Sequence, residues 1–193
     1  IHYIDIPFGQ KKYFPKQISQ FNAVTALNYS YFVLHARHES RINKAFALRV
    51  LIHVIADIHQ PMHTISYYAK RFPHGDKGGN LYRIKLERRH MNLHHFWDDA
   101  GGLLTTTSLD QLYMELKNKP CSTQDQVFSP EEWAKRSHDM AIKYAYFPPY
   151  RQNKMHIYQM KAQEISMGQI QSAACHLAAT LNHLDIQGLE VIV

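Results

Sequence analysis

The segment that most limits what this chain can become runs over residues 41–59. Ala47, Leu48, Val50, Leu51, Ile52, Val54 and Ile55 put apolar side chains on nearly every side of a helix. That pattern predicts a central helix enclosed by others. Pro61 stops or kinks it, since its ring crowds the preceding turn and its nitrogen donates nothing. Enclosing segments are present. Val24, Leu27, Tyr31 and Leu34 mark one face of a helix at about 17–37, and short helices are expected near 91–99 and 108–117. Ser129-Pro130-Glu131-Glu132 reads as a helix start, with Ser129 as cap, Pro130 in the first turn and Glu132 completing a capping box. That helix is expected to run to about 146, before Pro148-Pro149. Ile170, Ala173, Ala174, Leu177, Leu181 and Leu184 form an apolar stripe on a last helix, at about 156–184. Residues 1–16 read as irregular, broken by Pro7, Gly9 and Pro15. Residues 64–90 read as a long basic loop in which Leu81-Tyr82-Arg83-Ile84-Lys85-Leu86 alternates as a strand does. The expected fold is all-α, a helical bundle with a short β-hairpin in a loop. It forms one domain over 1–193, without repeats or low-complexity tracts.

Apolar residues make up 45 % of the 193, enough for a real core, and charged residues 20 %. No apolar run is long enough to span a bilayer, so stable membrane insertion is not expected. The net charge of +6 suits polyanionic partners without requiring them. Two cysteines, Cys121 and Cys175, either form one disulfide in an oxidising compartment or stay free. Fourteen histidines raise the prior for a metal site, because neutral imidazole is the commonest protein metal ligand.

Two segments repeat one arrangement: His53 with Asp57, and His94 with Asp98. Residues four apart share a helix face with Cβ atoms about 6 Å apart, so an imidazole nitrogen and a carboxylate oxygen can meet on one cation. His63 follows just past Pro61, where a chain reversal returns it to the same face. An ionised carboxylate at position 57 of so apolar a helix costs several kcal/mol unless it is paired or metal-bound. One such pair is better explained as a His–Asp hydrogen bond between helices. Two pairs, with His63 and with His2 from a third segment, favour metal. A His/Asp set without Cys suits a catalytic ion better than a structural one.

The run from Ala47 to His63, with His53, Asp57, His59, Pro61 and His63, resembles the core motif of the S1/P1-type zinc nucleases. These are single-strand-specific nucleases and 3′-nucleotidases. His2-Tyr3-Ile4-Asp5, Asp76-Lys77-Gly78-Gly79-Asn80 and Asn92-Leu93-His94 through Trp97-Asp98 resemble further elements of that family in order and spacing. Trp133 and Ser137, with Ala174, Leu177, Ala178, Leu181 and Asn182, resemble its C-terminal helices. The resemblance implies the phospholipase C/zinc nuclease bundle and three Zn2+ ions in a complete domain. It implies His2, His53 and Asp57 at a paired-metal site with Asp57 bridging, and His63, His94 and Asp98 at the remaining ion. Asp57 and His53 would act catalytically through metal-bound water, while Asp5, Gly78, Gly79 and Asn80 would bind the base. The implied reaction is endonucleolytic hydrolysis of single-stranded DNA and RNA to 5′-phosphate products, with possible 3′-nucleotidase activity. The implied protein is a secreted or lumenal monomer. A related zinc phospholipase C is the nearest rival, but its last helix pair tends to end in Glu, where this chain has Asp98. The family also uses an N-terminal Trp, a following His and an Asp, all of which would precede Ile1. The 193 residues alone are therefore expected to complete only the His63/His94/Asp98 site and to have little activity. A metal-binding relative that has lost catalysis is the remaining alternative.

Other residues read more plainly. His59 is expected to pack or to support the ligands, His95 to be incidental and Trp97 to lie in the core. Tyr67, Tyr68 and Phe72 either stack bases or pack. Lys70, Arg71, Lys77, Arg83, Lys85, Arg88 and Arg89 either guide phosphates or form a solvated basic loop. Asn28-Tyr29-Ser30 is a glycosylation sequon placed mid-helix, where use is not expected.

Overall fold

The computed structural model describes residues 1–86, 89–146 and 155–184; Glu87, Arg88 and the Pro148-Pro149 stop lie outside them. Among the described residues the fold is all-helical in character. Its helices are α1 (Ala23–His35), α2 (Arg41–Ile58), α3 (Leu93–Asp98), α4 (Leu103–Thr106), α5 (Leu109–Leu116), α6 (Pro130–Met140) and α7 (Met155–Asn182). Two small strand pairs complete it. Strand β1 (Pro7–Gly9) lies parallel to β2 (Ser66–Tyr68), and β3 (Arg83–Leu86) lies antiparallel to β4 (Arg89–Asn92).

Capping sets the start of α1. Asn22 accepts a hydrogen bond from the Thr25 amide at 3.1 Å, and Thr25 Oγ1 accepts one from the Asn22 amide at 3.1 Å. This reciprocal cap places the first turn after residue 22, so the expectation of a helix from 17 is corrected. Ser40 caps α2 through the Asn43 amide. At α6, Pro130 occupies the first turn, but the Ser129 side chain makes no capping hydrogen bond, contrary to the expected box. The backbone carbonyl of Ser129 instead accepts from the Trp133 amide at 3.1 Å. Past α6 the chain continues as a π-turn over Ala141–Ala145.

The core has two parts. Val24, Leu27, Leu34, Leu51, Val54, Ile55, Ile58 and Trp133 join α1, α2 and α6. Met62, Ile65, Ile84, Leu93, Phe96, Trp97, Tyr146 and Tyr158 join the hairpin, α3 and α7. Ile58 belongs to the first part and Met62 to the second, so the segment carrying Asp57 and His63 sits where they meet. The all-round burial expected for α2 is not found. Leu51, Val54, Ile55 and Ile58 are buried, whereas Ile42, Phe46 and Ile52 are exposed. Helices α1, α6 and α7 pack on α2 and leave those side chains uncovered.

The stripe read on α7 is met in part: Leu177, Leu181 and Leu184 pack, half-buried, against the first part of the core. Ala174 is exposed and Ile170, Ala173 and Leu177 are half-buried, while Tyr158, Ala162, Gln169, His176 and Thr180 are buried. Several buried polar groups pair with one another, and His176 Nε2 is left without a hydrogen bond. His59 Nδ1 lies 2.7 Å from the Ile55 carbonyl, and its Nε2 lies 2.8 Å from His176 Nδ1. His176 Nε2 faces Asp125 at 3.4 Å. Gln169 Nε2 donates to Ser137 Oγ at 3.0 Å and to the His59 carbonyl. Burial holds the His59 pKa down at about 4, with His176 adding to the shift and the Ile55 carbonyl and Asp125 opposing it. The open cysteine question resolves as a disulfide: Cys121 and Cys175 are bonded, with Cα atoms 5.6 Å apart. This bond ties the segment bearing Asp125 to α7. Among the described residues no helix is long and apolar enough to cross a membrane.

Candidate metal centre

Helical spacing does what the sequence anticipates on α2. His53 Nε2 and Asp57 Oδ2 lie 2.9 Å apart, one turn from each other. The N-terminal strand segment adds His2, whose Nδ1 is 2.9 Å from the same oxygen. One carboxylate oxygen therefore faces two imidazole nitrogens from separate parts of the chain. The ligand atoms of His2, His53 and Asp57 all lie within 4.8 Å of one another.

A second triad lies beside the first. His63, His94 and Asp98 meet the same spacing. His63 Nε2 is 3.4 Å from Asp98 Oδ1, and His94 Nε2 is 3.5 Å from Asp98 Oδ2. The two imidazoles stack with centroids 4.8 Å apart. His63 Nδ1 lies 3.8 Å from Asp57 Oδ2, which makes the triads neighbours.

The supporting groups fix which nitrogen each imidazole presents. His94 Nδ1 donates to the Gly78 carbonyl at 2.7 Å, and His63 Nδ1 faces the His2 carbonyl at 3.3 Å. Both Nε2 atoms are thereby left to accept a cation, the arrangement that backbone carbonyls impose on metal-binding histidines. Gln60 Nε2 donates to Asp98 Oδ1 at 2.7 Å. For Asp98, burial would raise the pKa, but hydrogen bonds from His63 and Gln60 outweigh it and hold the carboxyl below its usual value. Burial alone would lower the His63 pKa; the hydrogen bond to Asp98 and the charge of Asp57 reverse that and raise it. Burial keeps the His94 pKa low, against the opposing charge of Asp98. A divalent cation fits this set. Each triad offers three nitrogen or oxygen donors without a thiolate, and both contain a carboxylate.

The residues expected to bind a base line the same region. Gly78 and Gly79 are buried and adopt left-handed backbone at φ 59° and 81°. Asn80 is exposed, with its Nδ2 donating to the Lys77 carbonyl. Asp5 is half-buried, and burial followed by the charge of Asp76 raises its pKa. Asp76 is fully buried and organises the loop. It accepts from the Tyr67 amide at 2.8 Å and from the Tyr146 hydroxyl at 2.7 Å.

Tyr146 escaped the sequence reading, as did the supporting roles of Gln60, Asp76 and the Gly78 carbonyl, whose positions the motifs include. Gln60 has one available signal, its place between two ligands in the His53–His63 run. The others depend on partners far along the chain. Of the residues weighed separately, His59 is buried beside the ligands, His95 is exposed, and Trp97 is buried with its Nε1 donating to the Tyr158 hydroxyl at 3.0 Å. Tyr68 and Phe72 are buried, while Tyr67 is half-buried. Asn28 lies within α1 and donates to Glu131 at 2.8 Å.

A helical fold presenting two adjoining His/Asp triads under a glycine-rich loop defines a candidate metal-binding protein. Comparison with known proteins makes the class specific: the S1/P1 Nuclease family matches residues 1–185, and the chain belongs to that family. Endonuclease 4 of Arabidopsis thaliana is 30 % identical over 176 residues, which cover 76 % of this chain and 56 % of that protein. Endonuclease 2 of the same plant is 32 % identical over 99 residues, 51 % of this chain and 30 % of that protein. Nuclease S1 of Aspergillus oryzae is 29 % identical over 112 residues, 55 % of this chain and 35 % of that protein. The matched region thus spans about half the length of these relatives or less.

Proposed function

We propose that His2, His53, Asp57, His63, His94 and Asp98 hold zinc, and that the site hydrolyses phosphodiester bonds of single-stranded DNA and RNA to 5′-phosphate products, with 3′-nucleotidase activity at the same centre. The carrying observation is the shared Asp57 Oδ2, 2.9 Å from nitrogens of both His2 and His53 and 3.8 Å from His63. A carboxylate in that position suits a bridge between adjoining cations. Bound zinc would supply Lewis-acid activation of water and neutralise charge on the phosphoryl oxygens.

The chain's own groups perform the remaining tasks. The carbonyls of His2 and Gly78 hold the imidazole tautomers of His63 and His94, and Gln60 holds the carboxylate of Asp98. Asp5 and Asn80 offer polar atoms to a base edge, and the buried Gly78 and Gly79 permit close backbone approach. An unpaired base can enter such a pocket, whereas a stacked and paired one must first be extruded, which favours single strands. The disulfide supports a secreted or lumenal location.

The test is metal analysis of the purified full-length protein combined with product analysis. Bound zinc, with acid-soluble 5′-nucleotides released from single-stranded substrate faster than from duplex, is expected. Diacylglycerol release from phosphatidylcholine vesicles without nucleotide release would replace this reading with the phospholipase one. Absence of bound zinc would overturn it.

A further inference from the structure

The charge of this chain is concentrated in one stretch. Residues 64–92 contain seven Lys and Arg and only two acidic residues, in a protein of net charge +6. One of those acids, Asp76, is fully buried and engaged with Tyr67 and Tyr146, so it does not screen the surface. The basic side chains are also ordered in space. Tyr82, just before β3, and Ile84 within it turn into the core at 7 % and 3 % exposure, while Arg83 and Lys85 are exposed. Strand register then fixes the rest of that outer face. Arg83 pairs with Asn92 and Lys85 with His90, so His90, also exposed, stands beside Lys85.

The hairpin leads away from the metal centre. Its base is closed by the Leu93 amide donating to the Tyr82 carbonyl at 2.8 Å, and the next residue is His94. At the same base, Arg71 lies over the rings of Phe72 and Tyr82, 4.5 and 5.0 Å from their centroids. Lys77 is exposed on the loop that presents Gly78, Gly79 and Asn80. Basic side chains thus run from the base-binding loop, past Arg71, to Arg83 and Lys85. Alternate residues of a strand are about 7 Å apart, comparable with successive phosphates of an extended single strand.

We infer that the outer face of the β3–β4 hairpin, through Arg83 and Lys85, is a phosphate-tracking surface that engages single-stranded polynucleotide several nucleotides away from the metal centre. The inference rests on the nuclease reading and adds a substrate-length preference to it. Contacts of this kind read backbone charge and leave base sequence unread, so they favour long strands over mononucleotides and dinucleotides of any composition. Ile84 anchors the inner face in the core, with Leu86 and Met91 half-buried beside it.

The test measures binding by fluorescence anisotropy over a range of salt concentrations, using the full chain as purified with its metal. The probes are phosphorothioate oligothymidylates, one a dinucleotide and one of about twenty nucleotides, long enough to exceed a single-strand site. For the long probe, Arg83→Gln with Lys85→Gln should lower the salt slope by about 1.4, at roughly 0.7 per released phosphate contact. At 0.1 M salt that corresponds to roughly 25-fold weaker binding. Dinucleotide binding should be unchanged. The swap Arg83→Lys with Lys85→Arg should keep the long-probe affinity, and melting curves should match wild type for both variants. A control removing the same charge elsewhere, Lys117→Gln with Lys135→Gln, should leave the slope intact. An unchanged slope in the hairpin variant, or an equal loss in the control, overturns the inference while leaving the nuclease reading in place. Failure of the wild-type chain to bind either probe overturns both.

Discussion

Gly78 joins the glycine-rich loop to the candidate metal centre, and replacing it with alanine tests that junction. Its backbone sits at φ 59°, where an L-residue other than glycine costs about 1–2 kcal/mol. A Cβ there would stand 2.5 Å from the Met62 carbonyl oxygen and 3.3 Å from His94 Nδ1. Met62 is buried and its carbonyl is backbone, so the loop must move away. That movement pulls the Gly78 carbonyl from His94 Nδ1, now 2.7 Å away, and frees the imidazole to rotate. Losing such a supporting hydrogen bond weakens metal affinity by about 10–100-fold. Gly78→Ala should therefore lose about 1–2 kcal/mol of stability in urea melts with chelator present. Its zinc affinity by competition titration should fall a further 10–100-fold. Gly168→Ala is the counterpart. Gly168 lies within α7 with nothing within 4 Å of an added Cβ, so stability should rise by about 0.5–1 kcal/mol. Wild-type zinc affinity in Gly78→Ala would refute the claim that this carbonyl orients His94.

Three further outcomes follow from the same structure. Gln60→Leu removes both the donor to Asp98 and the side-chain oxygen that accepts from the Met62 amide, so zinc binding should weaken about 10–100-fold and the Pro61–Thr64 turn should lose its cap, as read by competition titration and by urea melts of chelated protein. Replacing Cys121 and Cys175 with serine and alanine opens a link spanning 54 residues and should cost about 4 kcal/mol in denaturant melts; a loss below 1 kcal/mol would refute the chain-entropy estimate. His59 has its pKa lowered to about 4 from 6.5, so the unfolded chain binds the proton that the native state refuses. Stability must then fall as pH drops from about 6.5 to about 4, by on the order of 3 kcal/mol, and urea melts of chelated protein across that window read the slope.

The two His/Asp triads were legible because helical geometry places residues four apart on one face, and because Pro61 forces a reversal before His63. The groups that hold those ligands were not. A glycine carbonyl that orients His94 has no side-chain signature, and the His59–His176 contact joins positions 117 residues apart. The parallel pairing of Pro7–Gly9 with Ser66–Tyr68 was invisible because three-residue strands are too short to show alternation. The start of α1 was readable in Asn22-Ala23-Val24-Thr25, a capping pattern that the apolar periodicity overshadowed. On α7 the apolar stripe located the residues that meet the first part of the core, Leu177, Leu181 and Leu184, but not the more enclosed face, where Gln169, His176 and Thr180 are buried among Ala162, Cys175 and Ala179.

That short parallel pairing carries a consequence for how the centre is assembled. The chain between Pro7–Gly9 and Ser66–Tyr68 holds α1 and α2, and the pairing brings the His2 segment against His63. The Ile4 amide donates to the His63 carbonyl at 2.8 Å, closing the same long loop. Contacts so distant in sequence form late and slowly. A nascent chain would therefore expose His53 and Asp57 on a finished helix before His2 is delivered to them, so the two triads would reach their cation-ready geometry at different times.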